Sequence, residues 1–179
     1  MTIYIKYTAQ PEKVYQNGSK AITEAKGLYF INADGTDKNK PTQIWTQGET
    51  EASSCWFPTI DAPNQKTTQE IYITVPNKFV TLSNGELINQ IKKGNNRTDY
   101  WKMDQKHAPY LFFIGAGEFS VVNDAWNGKK VDYYVEPEYE SVAKDIFGTT
   151  PEMLTFFSDL TGIPYPWDKY SQIVVRDYV

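Results

Sequence analysis

The sequence predicts a mainly β fold with a helical C-terminal part: an antiparallel β-meander, forming a saddle-like or sandwich β-domain, followed by a helix pair. Three observations predict it. Short apolar–polar alternations of the kind half-buried strands carry recur up to about residue 136. Asn84-Gly85 and Asn127-Gly128 each stand between apolar runs, and Asn-Gly supplies the positive φ that tight hairpins need. After Pro137 the apolar residues switch to helical spacing.

In chain order, residues 3–9 alternate and predict a strand. Residues 10–26 are polar and predict a loop with a turn at Asn17-Gly18. A short strand over 27–31 leads into a polar connection, 32–41, with a hairpin-type Asp34-Gly35. Ile44-Trp45-Thr46-Gln47 fits a strand end, and Gly48 lets the backbone turn or lie close to something. Glu49 and Glu51 share a face if the chain stays extended there. Asp61-Ala62-Pro63-Asn64 predicts a turn. Residues 69–75 are the clearest strand, with Ile71, Ile73 and Val75 pointing one way.

Runs 79–82 and 86–91 flank Ser83-Asn84-Gly85 and predict a hairpin. A turn over 92–97 and strands over 98–102 and 110–114 follow. Gly115-Ala116-Gly117 reads as a Gly-rich bend, because no helix follows it as a dinucleotide motif requires. Segments 118–122 and 130–135 form the second hairpin. Tyr139, Val142, Ala143, Ile146 and Phe147 have helical spacing, with Gly148 as a C′ cap. Thr149 and Glu152 have the form of a capping box. Met153, Leu154, Phe156, Phe157 and Leu160 then make an apolar stripe closed by Gly162, and 172–177 is a last strand. The change of pattern predicts a β-domain over 1–137 and a second unit over 138–179.

Composition excludes several classes. A net charge of −4 argues against a phosphate-binding surface, so no nucleic-acid partner is expected. The longest apolar runs, such as Leu111–Ile114, are too short to span a bilayer. With one cysteine, Cys55, no intrachain disulfide forms, and a small buried or half-buried thiol is expected. The one histidine, His107, lies in a polar stretch that reads as a surface loop. A zinc site would need at least two carboxylates beside these, and none cluster in sequence, so no catalytic or metal-ligating residue is expected in this chain. No signal-peptide pattern opens the chain, and residues 1–5 read directly as a strand, so it is expected to begin inside a longer protein.

Two stretches are more specific. Thr46-Gln47-Gly48-Glu49 is followed by Phe57-Pro58-Thr59-Ile60-Asp61-Ala62-Pro63 and Lys66. Far downstream comes Gly162-Ile163-Pro164-Tyr165-Pro166-Trp167-Asp168-Lys169-Tyr170. These resemble, in the same order, the zinc aminopeptidases of the aminopeptidase N and leukotriene hydrolase type, and the resemblance spans most of the chain. The arginine that many members carry shortly before Phe-Pro is missing; Ser53-Ser54-Cys55-Trp56 stands there.

The resemblance implies the later part of the amino-terminal β-domain and the start of a thermolysin-like catalytic domain, ending before the zinc motif. It implies that Glu49 grips the free α-amino group of a peptide substrate and that Gln47 touches the substrate. Zinc would belong to the full-length parent and would not be bound by this chain. The expected partners are a peptide with a free amino terminus and the rest of the catalytic domain, with self-association of the fragment through its apolar helix face. The alternatives are a free-standing β-sandwich binding module and a non-catalytic relative used as an interaction scaffold.

Overall fold

The computed structural model describes residues 2–13 and 25–178. The first sheet is built from β1 (Leu28–Ile31), β2 (Gln43–Thr46), β7 (Ile114–Gly117) and β4 (Val80–Ser83), in that order and antiparallel throughout. The second is β3 (Thr67–Pro76), β6 (Asn96–His107) and β5 (Glu86–Lys93), also antiparallel. The third is β10 (Lys169–Ile173), β9 (Lys129–Val135) and β8 (Ser120–Trp126). The 3-10 turn Pro137–Val142, α1 (Ala143–Phe147) and α2 (Thr150–Thr161) lie between β9 and β10. The fold is therefore mainly β and mostly antiparallel, with helices near the C-terminus, as the alternations and the two patterns of spacing predict.

The sheets share one core. Ile73 and Val75 of β3, Leu82 of β4, Trp101 of β6, Ala116 of β7, Tyr134 of β9 and Phe119 are buried against each other. The alternation in β3 works as read: Ile73 and Val75 point inward while Tyr72 and Thr74 face solvent. A second cluster, Trp126, Val131, Tyr133 and Leu154, fixes α2 to the third sheet, and the Trp126 indole donates to Thr155 Oγ1 at 2.8 Å.

Several elements differ from the sequence reading. Residues 3–9 form no strand, and Ile3, Tyr4, Ile5 and Tyr7 are exposed. Alternation marks a strand only where a neighbour completes the ladder, and no strand pairs with this segment among the described residues. The Asn17-Gly18 turn lies outside the described residues. β8 and β9 form the predicted hairpin across Asn127-Gly128. Ser83-Asn84-Gly85 does not make one, because β4 pairs with β7 and β5 pairs with β6, so the turn is a corner between sheets. Gly85 has φ +71°, and a Cβ there would run into the Lys102 carbonyl.

Gly115 and Gly117 lie in β7, at the centre of the first sheet, not in a bend. A side chain on Gly115 would press on Phe113 and Ile173, and one on Gly117 on Phe119 and Gln43. The glycines are there for close packing. Residues 109–111 form a 3-10 turn instead of a strand start. Gly148 has φ −65° and is no left-handed cap, whereas Gly162 at +67° is one. Thr149 makes no capping bond; the one Thr150 hydroxyl proton is instead shared between the Phe147 carbonyl at 2.7 Å and Gln172 Oε1 at 2.9 Å. Of the predicted apolar stripe only Leu154 is buried, while Met153, Phe156, Phe157 and Leu160 are exposed. The last strand starts three residues earlier than predicted and runs parallel to β9.

Candidate functional site

The segment that follows β2 is a turn held at both ends by hydrogen bonds. Gln47 N donates to the Gly27 carbonyl at 3.0 Å, and Thr46 Oγ1 accepts from Ile114 N at 2.9 Å. Gly48 is buried, and an added Cβ would lie 2.5 Å from Ser53 Oγ and from the Tyr110 carbonyl. Ala52 N donates back to the Gly48 carbonyl at 2.9 Å, closing a turn over residues 49–51. Glu49 and Glu51 therefore sit on a turn, not on one face of an extended strand. The Glu49–Thr50 peptide bond is cis.

The second half of the segment locks the first. Ser53 Oγ donates to the Pro109 carbonyl at 2.8 Å, and Ser54 N donates to Asp61 Oδ2 at 2.8 Å. Asp61 thus reaches back to the 3-10 turn Ser53–Cys55, not forward into its own turn; that turn closes from Gln65 N to the Ala62 carbonyl. Trp56 meets Phe57 edge-on, Phe57 stacks on Phe112 at 5.0 Å, and Phe112 stacks on His107 at 4.5 Å. The two aromatics of Trp56-Phe57-Pro58 thus pin the loop to the end of β6. Cys55 is buried, as a small apolar thiol would be, and burial pushes its pKa up.

His107 is 2% exposed, which corrects the surface-loop reading: it is the last residue of a strand longer than the alternation indicated. Ser83 Oγ donates to the Phe113 carbonyl at 2.7 Å and accepts from Gln69 Nε2 at 2.9 Å. That turns Gln69 Oε1 toward His107 Nε2, 3.1 Å away, while His107 Nδ1 lies 3.0 Å from the Gln105 carbonyl. Both ring nitrogens face acceptors, and a neutral ring satisfies one of them. Burial pushes the imidazole below its ordinary value, and the Gln105 carbonyl offsets part of this.

The structure brings Gln47 and Glu49 together. Gln47 Nε2 donates to Glu49 Oε2 at 3.2 Å, with Gln47 half-buried and Glu49 exposed. The amide holds one carboxylate oxygen and leaves the other free to accept from a cation. Glu51 is exposed on the same turn. Sequence reasoning missed the anchors of the turn. Ser53 and the Tyr110 backbone carry no local signal, because their partners lie more than fifty residues away in the chain; Asp61 stood in a motif but its partner could not be read. Among the described residues no three His, Cys, Asp or Glu side chains gather.

Replacing Gly48 by Ala is expected to cost about 1–3 kcal/mol, because the Tyr110 backbone cannot swing aside for the new methyl. A thermal melt checks this, and an unchanged midpoint would show that the turn is loose.

Residues 4–111 match the Peptidase M1 N-terminal domain. The chain is similar to aminopeptidase M1 of Arabidopsis thaliana, 27% identical over 154 residues, which covers 86% of this chain and 17% of that protein. It is similar to human glutamyl aminopeptidase, 29% identical over 128 residues, 68% of this chain and 13% of that protein. Transcription initiation factor TFIID subunit 2 of Gallus gallus is 20% identical over 155 residues, 84% of this chain and 13% of that protein. The chain therefore spans a small part of the length of these relatives.

Proposed function

Because the chain belongs to the M1 peptidase family through its N-terminal domain, we propose that it is the substrate-recognition portion of a larger zinc aminopeptidase. Glu49 receives the α-ammonium of a peptide, and Gln47 orients the carboxylate. The observation that carries this reading is the Gln47–Glu49 pair, 3.2 Å apart on a turn anchored by Gly48, Ser53 and Asp61. A carboxylate at this place selects for a free amino terminus, since a chain-internal amide offers no charge and would leave the carboxylate unpaired. Zinc, bound by parts of the parent outside this chain, supplies an activated water for the peptide bond.

On this reading residues 1–137 are the later part of the β-domain, and residues 138–179 begin the catalytic domain. The rest of that domain is the partner for the exposed face of Ile146, Met153, Phe156, Phe157 and Leu160. That face also favours a piece of a larger body over a self-contained module, which would cover its apolar helix residues. The likeness to a transcription factor subunit favours one second reading, an interaction scaffold on the same fold.

The test uses the full-length parent. It is expected to cleave an aminoacyl anilide, to leave the N-acetylated anilide intact, and to stop when zinc is chelated. Equal cleavage of the two anilides would overturn the role given to Glu49, and no cleavage of either would favour the scaffold.

A further inference from the structure

A cavity of about 310 Å³ lies where the corner after β4 meets the chain entering and forming β10. Its lining includes neither Gln47 nor Glu49. The alternation of β10 builds one wall. Lys169, Ser171 and Ile173 line the cavity, while Tyr170 packs in the cluster under α2 and Gln172 bonds Thr150 on the other side. Leu82 and Phe113 add apolar surface opposite.

Two polar groups in this wall are under-used. Lys169 Nζ donates to the Ser83 carbonyl at 2.6 Å and lies 5.1 Å from the centre of the Trp101 ring. That carbonyl is its one hydrogen-bond partner among the described residues, and an ammonium has three protons to give. Burial pushes its pKa down to about 8, with Asp168, Asp132 and Glu86 pulling it part of the way back without forming an ion pair at contact distance. The Ser171 hydroxyl is buried and has no hydrogen-bond partner among the described residues. Buried polar groups are ordinarily satisfied, so a donor left open beside a poorly paired cation points to something that completes both.

We propose that this cavity is a binding site for a small apolar carboxylate, whose anionic end takes Lys169 and Ser171 and whose body lies on Leu82, Phe113 and Ile173. The carboxylate is favoured over a neutral acceptor because it supplies the counter-charge at contact distance, and charge-assisted bonds are about twice as strong as neutral ones.

The test is titration of the chain with octanoate and, separately, with 1-octanol of the same chain length, followed by ligand-observed NMR. Octanoate is expected to bind at least about tenfold more tightly than octanol, and Lys169→Met to remove that preference. Equal binding of the two ligands, binding of neither, or octanoate binding untouched by Lys169→Met would each overturn the assignment. Should Lys169→Met fail to fold, Ser171→Val decides through the same titration: weakened octanoate binding supports the site, and wild-type affinity overturns it.

Discussion

Replacing Arg97 by Met is expected to cost about 3–5 kcal/mol of stability, the largest loss foreseen for any single substitution here. Arg97 and Asp99 face the core side of β6, 12% and 1% exposed at their side chains. The guanidinium bonds both carboxylate oxygens, at 2.6 and 2.9 Å, and also the Phe79 carbonyl. Thr81 Oγ1 donates to the same carboxylate at 2.6 Å and accepts the Trp101 indole N–H at 3.0 Å; Gln90 adds a third donor.

Burial alone would raise the Asp99 pKa, but the bonds from Arg97, Thr81 and Gln90 outweigh it and hold the carboxyl below its ordinary value. The stability this gives is therefore present above the unfolded-state value of 3.8 and is lost as pH falls through the lower folded value. Methionine in place of Arg97 leaves a charge in the core with its cation gone. The check is chemical denaturation of Arg97→Met beside Lys78→Met, which breaks the exposed pair with Glu118. The exposed substitution should cost about 1 kcal/mol or less. A similar small loss for Arg97→Met would mean that Thr81 and Gln90 satisfy Asp99 by themselves.

How much of this was legible depends on whether the cause is local. Asn127-Gly128 predicts its hairpin because the strands on either side pair with each other and nothing competes. Asn84-Gly85 carries the same local signal and makes a corner. Its Asn84 side chain donates to the Leu111 carbonyl and accepts from Phe113 N, bonds that tie the turn to a distant segment. The positive φ was readable from Gly85; the identity of the strand it serves was not. Periodicity likewise placed Leu154 on α2 and marked Met153 and Phe156 as apolar, but only the neighbour decides which of them is covered. Parallel pairing of β10 with β9 is a non-local choice across the intervening helices, and no turn signal announces it.

The candidate site divides the same way. Gln47 and Glu49 were legible as candidates only through the resemblance that Thr46-Gln47-Gly48-Glu49 and Phe57-Pro58 carry. The bonds that hold them there were not. Ser53 reaches the Pro109 carbonyl, and Gly48 makes room for the Tyr110 backbone. Lys169 was visible only as one letter of a motif. Its burial against Trp101 and Ser83 comes from strands brought in from 68 and 86 residues earlier in the chain.

Glu49→Gln in the full-length parent is expected to lower kcat/KM on an aminoacyl anilide by between about thirtyfold and a few thousandfold. The α-ammonium leaves water when the peptide enters a closed site, and a nearby negative charge offsets that loss. The amide keeps the shape of the side chain and removes the charge. Removing one partner of a desolvated ion pair costs roughly 2–5 kcal/mol, and each 1.36 is about tenfold. Glu51, on the same turn but without a bond from Gln47, is the internal control, and Glu51→Gln should stay within about threefold of wild type. The deciding measurement is kcat/KM for the two variants side by side on the same anilide. The account predicts a large loss for Glu49→Gln and almost none for Glu51→Gln. Wild-type activity in Glu49→Gln, or a greater loss in Glu51→Gln, would contradict it.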